Sequence, residues 1–135
     1  MAKNIKKVIT ESTKAVFITH YGGVPCDMDP IIKLCNENNI LIIEDSACAV
    51  KSFYKGKACG TFGDMGMWSF DAMKTLSTAD GGMMYVKNPA KLIVAEESLY
   101  LGLPVKSKSG LDSSSLDSAN WWEFEMNRTG RRAIM

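Results

Sequence analysis

The sequence predicts an α/β fold on a mainly parallel sheet, and two apolar runs with a helix signal between them carry the prediction. Ala15-Val-Phe-Ile-Thr-His-Tyr21 is β-branched and aromatic and stops at Gly22-Gly23, which reads as a buried strand. Ile40-Leu-Ile-Ile43 is continuously apolar, the pattern of a parallel strand covered on both faces. Between them, Asp29-Pro30 reads as a helix start, an N-cap acceptor followed by Pro at the first helical position. Ile31, Leu34 and Cys35 give that helix one apolar face, and Asn38-Asn39 is its stop. Strand, helix and strand with short joints make a βαβ unit, whose two strands lie parallel.

The flanking elements follow from the same signals. Ile5, Val8 and Ile9 recur at helical spacing, so the chain opens on a short helix. Gly56, Gly60, Gly63 and Gly66 punctuate residues 51–66, which read as turns around one short strand. Met65-Gly-Met-Trp-Ser-Phe70 and Met83-Met-Tyr-Val86 read as two further strands, joined by a loop through Lys74 and Gly81-Gly82. Asn88-Pro89 opens another helix, lined by Leu92, Ala95 and Leu99 and ended by Gly102. Six of the sixteen residues from Val105 to Asn120 are serine, the composition of a surface loop.

Composition narrows the function. The 135 residues are one ordinary domain, and with 46% hydrophobic residues the chain can bury a real core. Sixteen Lys and Arg against fifteen Asp and Glu leave a net charge of +1, so there is no basic excess to release phosphate counterions, and nucleic acid is not an expected partner. No window is apolar enough to span a membrane, and Met1-Ala-Lys-Asn-Ile-Lys-Lys7 lacks the apolar stretch of a secretory signal. Cys26, Cys35, Cys48 and Cys59 form no CxxC pair, and the single histidine leaves too few ligands for zinc. Reduced thiols and a cytoplasmic location are expected.

Two residues stand where chemistry is done in open α/β sheets, outside the carboxyl ends of strands. Asp45 follows the second strand directly. Glu44 precedes it, and because side chains alternate along a strand the two carboxylates face opposite ways and cannot be an acid/base pair. Lys74 follows the later strand among small and apolar neighbours, where partial desolvation suits an amine that attacks carbonyls. An acid and a lysine so placed suit pyridoxal phosphate, the lysine holding the aldehyde as a Schiff base and the acid pairing with the ring nitrogen. Position alone serves equally for a capping aspartate and a surface lysine. Gly60, Gly63 and Gly66 do not match the dinucleotide-binding fingerprint. His20 reads as a satisfied core histidine. Trp121-Trp122 with Phe124 read as a packing patch, and Arg128, Arg131 and Arg132 as a basic cluster that could clamp a phosphate.

At Ile42-Ile-Glu-Asp-Ser-Ala-Cys-Ala49 and Met67-Trp-Ser-Phe-Asp-Ala-Met-Lys74 the chain resembles the DegT/StrS sugar aminotransferases, pyridoxal-phosphate enzymes of aminotransferase fold type I. Thr13-Lys-Ala-Val16, His20-Tyr-Gly-Gly23, Asp27-Met-Asp29, Gly60 through Asp64, Asp80-Gly-Gly82 and Gly130 to Met135 fall in the family's order and spacing. The resemblance implies a mainly parallel sheet in a three-layer α/β/α large domain. It implies Lys74 as the catalytic residue that holds the cofactor and shuttles the proton. It further implies Asp45 at the pyridine nitrogen and Ser69 at the cofactor phosphate. Arg132 stands where relatives carry an Asn or Lys reaching the phosphate of a second subunit, so a homodimer or higher oligomer is expected.

Three departures accompany it. Cys48 occupies a cofactor-contacting position at which relatives usually carry Gln or His, and a thiol is a weaker hydrogen-bond partner. Asp71 replaces a residue that is commonly histidine. The third is coverage: residues 1–135 correspond to the central part of the family's large domain, with an early segment and the C-terminal small domain absent. The implied reaction is amino transfer, with glutamate the expected donor, to a keto sugar of a nucleotide-sugar. The alternative is a truncated, non-catalytic paralogue or split-gene half acting as an interaction module. A sugar dehydratase of the same family is argued against by Lys74, since such relatives carry histidine there.

Overall fold

The computed structural model describes residues 1–79 and 81–99. Asp80, the end of the third predicted helix at Gly102, the serine-rich stretch, Trp121-Trp122, Phe124, Arg128, Arg131 and Arg132 lie outside the described residues. The chain divides into two units, Met1–Lys87 and Asn88–Met135.

In the first unit, helix α1 (Ala2–Val8) precedes strand β1 (Ala15–Thr19). Ala2, Ile5 and Ile9 pack on the core, whereas Val8, expected on the same face, is turned to solvent. A short 3-10 turn at Tyr21–Gly23 leads to α2 (Met28–Glu37). This helix begins earlier than Asp29-Pro30 predicts, with Asp27 at the N-cap position but making no side-chain cap. The Asp27 carboxylate instead accepts the Tyr54 hydroxyl at 2.6 Å, and Met28 is fully buried in the first turn.

The stop at Asn38-Asn39 is as expected and has a clear cause. Asn39 adopts φ 53°, the Ile40 N–H reaches the Cys35 carbonyl at 2.9 Å, and the Asn39 N–H reaches that of Asn36 at 3.4 Å. These are the paired bonds of a Schellman motif, and its apolar contact is present because Ile40 and Cys35 share one buried cluster.

Strand β2 (Leu41–Asp45) runs parallel to β1, with Phe17 opposite Ile43 and Thr19 opposite Asp45. Strand β5 (Met65–Ser69) is parallel to β2, and β6 (Gly82–Val86) is antiparallel to β5, giving the sheet order β1-β2-β5-β6. The expected α/β architecture with a mainly parallel sheet is therefore present.

Burial corrects one expectation about it. Neither β1 nor β2 is covered on both faces by the described residues. Ile18, Ile42 and Trp68 point into the side packed by α1 and α2, while Phe17 and Leu41 on the other side remain 57% and 46% exposed. The core cluster is Ile18, Cys26, Met28, Ile31, Cys35, Ile40 and Ile42.

A second correction concerns residues 51–66. In place of one short strand they hold a miniature hairpin, β3 (Phe53–Tyr54) with β4 (Lys57–Ala58). Lys55 and Gly56 both have positive φ, 48° and 80°, the requirement of a tight two-residue turn. The turn carries Lys where Asn or Asp is the usual signal. Lys55 is instead held by an ion pair to Asp29, formed across from α2.

In the second unit, Asn88 accepts the Ala90 N–H on its side chain at 3.0 Å, and Pro89 follows at the first position of a 3-10 turn. Helix α3 (Leu92–Leu99) continues from it, with Ala95 buried. No helix among the described residues is long and apolar enough to cross a membrane.

Candidate functional site

Strand alternation splits the adjacent carboxylates as expected. Glu44 falls on the helix-covered side, where it is fully buried. There it accepts His20 Nε2–H at 3.0 Å, the Gly60 N–H at 2.7 Å, and the Phe62 and Gly63 N–H groups at 2.6 Å each. The Cys26 N–H donates to His20 Nδ1 at 3.1 Å, which leaves the ring proton on Nε2, facing the carboxylate. Burial pushes the Glu44 carboxyl up, but the bonds from His20, Gly63, Gly60 and Phe62 outweigh it and hold the group below its ordinary value. His20 is thus the satisfied core histidine the sequence suggests.

The loop that wraps Glu44 explains its glycines. Gly60 has φ 92° and lies against the Trp68 ring, where an added Cβ would approach to 2.4 Å. A Cβ on Gly66 would sit 1.8 Å from the Gly60 carbonyl oxygen. These glycines close around the protein's own carboxylate, in keeping with the rejection of a dinucleotide loop. Asp64 completes the link, accepting the Ile42 N–H at 2.9 Å and donating its own N–H to the Ile42 carbonyl at 2.8 Å.

On the opposite, open side, Asp45 ends β2, and its Oδ1 accepts the Ala47 N–H at 3.0 Å. Asp45 is opposite Met67 in the ladder, so Ser69, two residues on, shares its face at the end of the neighbouring strand. The backbone Asp71 N–H reaches Ser69 Oγ at 3.4 Å, and the hydroxyl hydrogen remains free to donate elsewhere.

Lys74 follows in a turn built by Asp71, whose carbonyl accepts the Lys74 N–H at 2.9 Å and whose side chain accepts the Met73 N–H at 2.9 Å. Asp71 therefore shapes the backbone that carries the lysine. Lys74 is half-buried, and its Nζ lies 3.8 Å from Cys48 Sγ.

Cys48 sits in the turn after β2, which is locked to the turn after β1. Gly23, at φ 78°, lies where a Cβ would meet the Cys48 carbonyl oxygen at 2.9 Å, and Ser52 Oγ donates to the Gly23 carbonyl at 2.5 Å. A cleft of about 540 Å³ opens here, lined by residues that include Gly23, Cys48, Lys51, Ser52 and Thr75. Ser46 Oγ, beside Asp45, is buried without a hydrogen-bond partner among the described residues, a feature the sequence does not signal.

The structure thus sets Asp45 and Ser69 on one face and brings Cys48 and Lys74 together. Arg132 lies outside the described residues. An acid, a hydroxyl and an amine at the carboxyl ends of neighbouring parallel strands are the layout of an α/β protein that takes a small ligand at its sheet edge.

Over residues 1–112 the chain matches the DegT/DnrJ/EryC1/StrS aminotransferase family, and it belongs to that family. It is 46% identical over 131 residues to the dTDP-4-dehydro-2,3,6-trideoxy-D-glucose 4-aminotransferase of Saccharopolyspora spinosa, matching 97% of this chain and 33% of that protein. The crystal structure of the aminotransferase TlmJ from Streptoalloteichus hindustanus superposes with a TM-score of 0.78 at 43% identity, over all of this chain and 33% of that one. The E. coli GDP-4-keto-6-deoxy-D-mannose-3-dehydratase, solved with bound hydrated pyridoxal phosphate, matches at 25% identity and a TM-score of 0.70, over 76% of this chain and 26% of that one. The chain spans about a third of the length of the first two.

Proposed function

We propose that the protein containing this chain is a pyridoxal-phosphate-dependent aminotransferase, moving an amino group from glutamate to a keto sugar carried on a nucleotide. Residues 1–135 would form the central part of its cofactor-binding large domain. The observation that carries this reading is the placement of Asp45 and Ser69 on one open face at adjacent strand ends, with Lys74 in the turn that follows. Family membership and the aminotransferase and dehydratase relatives support it.

The donor set fits the cofactor's chemistry. Asp45 uses Oδ1 for the Ala47 N–H, and its second oxygen is available for a protonated ring nitrogen. Ser69 offers a hydroxyl to the phosphate. Lys74 offers the amine that anchors the carbonyl. When bound, pyridoxal phosphate supplies a ring that withdraws electrons from the substrate carbon beside the nitrogen. Asp45 would face the ring nitrogen and accept its N–H, favouring the protonated, electron-poor form. Lys74 Nζ would take a proton from one side of the transfer and return it to the other. The adjoining cleft, with Lys51, Ser52 and Thr75 among its lining residues, offers an ammonium and two hydroxyls, groups suited to a sugar nucleotide. Cytoplasmic action, two subunits per active unit and a phosphate contact from Arg132 belong to this proposal.

A visible-absorbance titration with pyridoxal phosphate tests it. The expected result is a saturable new band in the unmodified chain and none in Lys74→Ala. Equal bands in both would overturn the role of Lys74.

A further inference from the structure

We propose that Cys48 and Lys74 form a covalent modification site, an oxidisable pair that hydrogen peroxide closes into a sulfur–nitrogen cross-link. The sulfur and the amine nitrogen are 3.8 Å apart, joining the turn after β2 to the turn after β5. Both turns are fixed by backbone bonds, the first through Ser46 and Ala49 and the second through Asp71, so the side chains meet without rearrangement of the sheet. Cys48 is the exposed cysteine of the four and lines the open cleft, where a molecule as small as peroxide reaches it.

The other three thiols offer no competing route. Cys26, Cys35 and Cys59 are 7%, 0% and 0% exposed, and burial pushes each of them up, keeping them protonated and unreactive. A sulfenic acid formed at Cys48 therefore has no accessible thiol in its own chain with which to make a disulfide. The Lys74 amine, 3.8 Å away, is a nucleophile within its reach.

The chemistry balances in two steps. The Cys48 sulfur attacks one oxygen of hydrogen peroxide, the O–O bond breaks, and sulfenic acid and water form; sulfur loses two electrons and peroxide gains them. The lone pair of the Lys74 nitrogen then attacks the sulfenic sulfur, an N–S bond forms, the S–O bond breaks, and the hydroxide released takes up the proton lost from nitrogen as water. The joined pair is lighter by two hydrogen atoms. A small thiol attacks the sulfur and releases the amine, leaving Cys48 in a mixed disulfide that a second thiol opens to the free cysteine. On the aminotransferase reading, on which this consequence rests, the cross-link removes the amine that anchors the cofactor.

The test is peroxide treatment of the 135-residue chain, followed by digestion and mass mapping. The expected product joins the peptides of Cys48 and Lys74 with the loss of two hydrogens, disappears on thiol reduction, and is absent from both Cys48→Ser and Lys74→Arg. Cys48 carried on to sulfinic acid with Lys74 free, or joined to a second chain by a disulfide, would overturn the proposal. A parallel sample reduced with borohydride in the presence of pyridoxal phosphate separates the two readings. A cross-link without a pyridoxyl group on Lys74 sinks the cofactor role alone, and a pyridoxyl group without a cross-link sinks the modification site alone.

Discussion

Glu44 Oε2 and His20 Nε2 lie 3.0 Å apart with both side chains fully buried, and the same carboxylate takes three backbone N–H groups from the loop ahead of β5. One side chain thereby fastens β1, β2 and the 60–63 loop into a unit directly behind Asp45. A buried charge is tolerated here because four donors replace its lost water.

Glu44→Gln should be costly, because a carboxamide presents an N–H₂ group to donors that need an acceptor. Breaking a buried hydrogen-bonded pair of this kind costs about 3–5 kcal/mol. Urea unfolding should show the midpoint falling sharply. A loss below about 1 kcal/mol would mean that the array does not organise the fold.

The same group sets an acid limit. Glu44 is held below its ordinary value in the folded chain, so the unfolded chain takes up that proton at a higher pH. Its contribution is present at neutral pH and is lost as pH falls below the ordinary glutamate value, roughly 4.3, toward the lower folded one. Urea midpoints measured across the acid range should fall with decreasing pH in the unmodified chain and fall less in Glu44→Gln.

Two glycines separate steric from conformational cost. Gly66→Ala places a Cβ 1.8 Å from a backbone oxygen, which only a shift of the 60–66 loop relieves. The unfolding free energy should drop by about 3 kcal/mol or more, in the range of severe core disruption. Gly56→Ala meets nothing within 4 Å but retains φ 80°. Its cost should be about 1–2 kcal/mol, that of a left-handed residue with a side chain. Equal losses in the two variants would refute the close packing of Gly66 on Gly60.

Asp45→Asn preserves an acceptor for the Ala47 N–H while removing the charge. On the proposed function, it should weaken pyridoxal phosphate binding by about tenfold to a hundredfold, the value of one hydrogen bond to a charged group. Absorbance titration measures it, and unchanged affinity would remove Asp45 from the ring nitrogen.

Much of the frame was legible in the sequence because local signals and global fold agree. The runs at 15–21 and 40–43 hold β1 and most of β2, although β1 stops at Thr19 before the 3-10 turn, and Asn39 ends α2 as its position suggests. Asp45 stands at a strand end and Lys74 in the loop after a strand, both as read. What stayed hidden depends on contacts distant in the chain. The Lys55-Gly56 turn lacks the usual residue signal and is supported from α2 by Asp29. Exposure of Phe17 and Leu41 follows from which faces the described helices cover, which an apolar run cannot reveal. Glu44 did carry a signal, a carboxylate closing an apolar strand ahead of closely spaced glycines, but its partners His20, Gly60 and Gly63 converge only in the fold. The approach of Cys48 to Lys74 is likewise invisible across the intervening loop.

The central claim is that Lys74 holds the cofactor, and the most direct measurement is borohydride reduction with pyridoxal phosphate followed by peptide mass mapping. The account predicts one pyridoxyl group per chain, on Lys74, with the other lysines unmodified. Adducts scattered over Lys51, Lys55 and Lys57, with Lys74 no more reactive than they are, would contradict it.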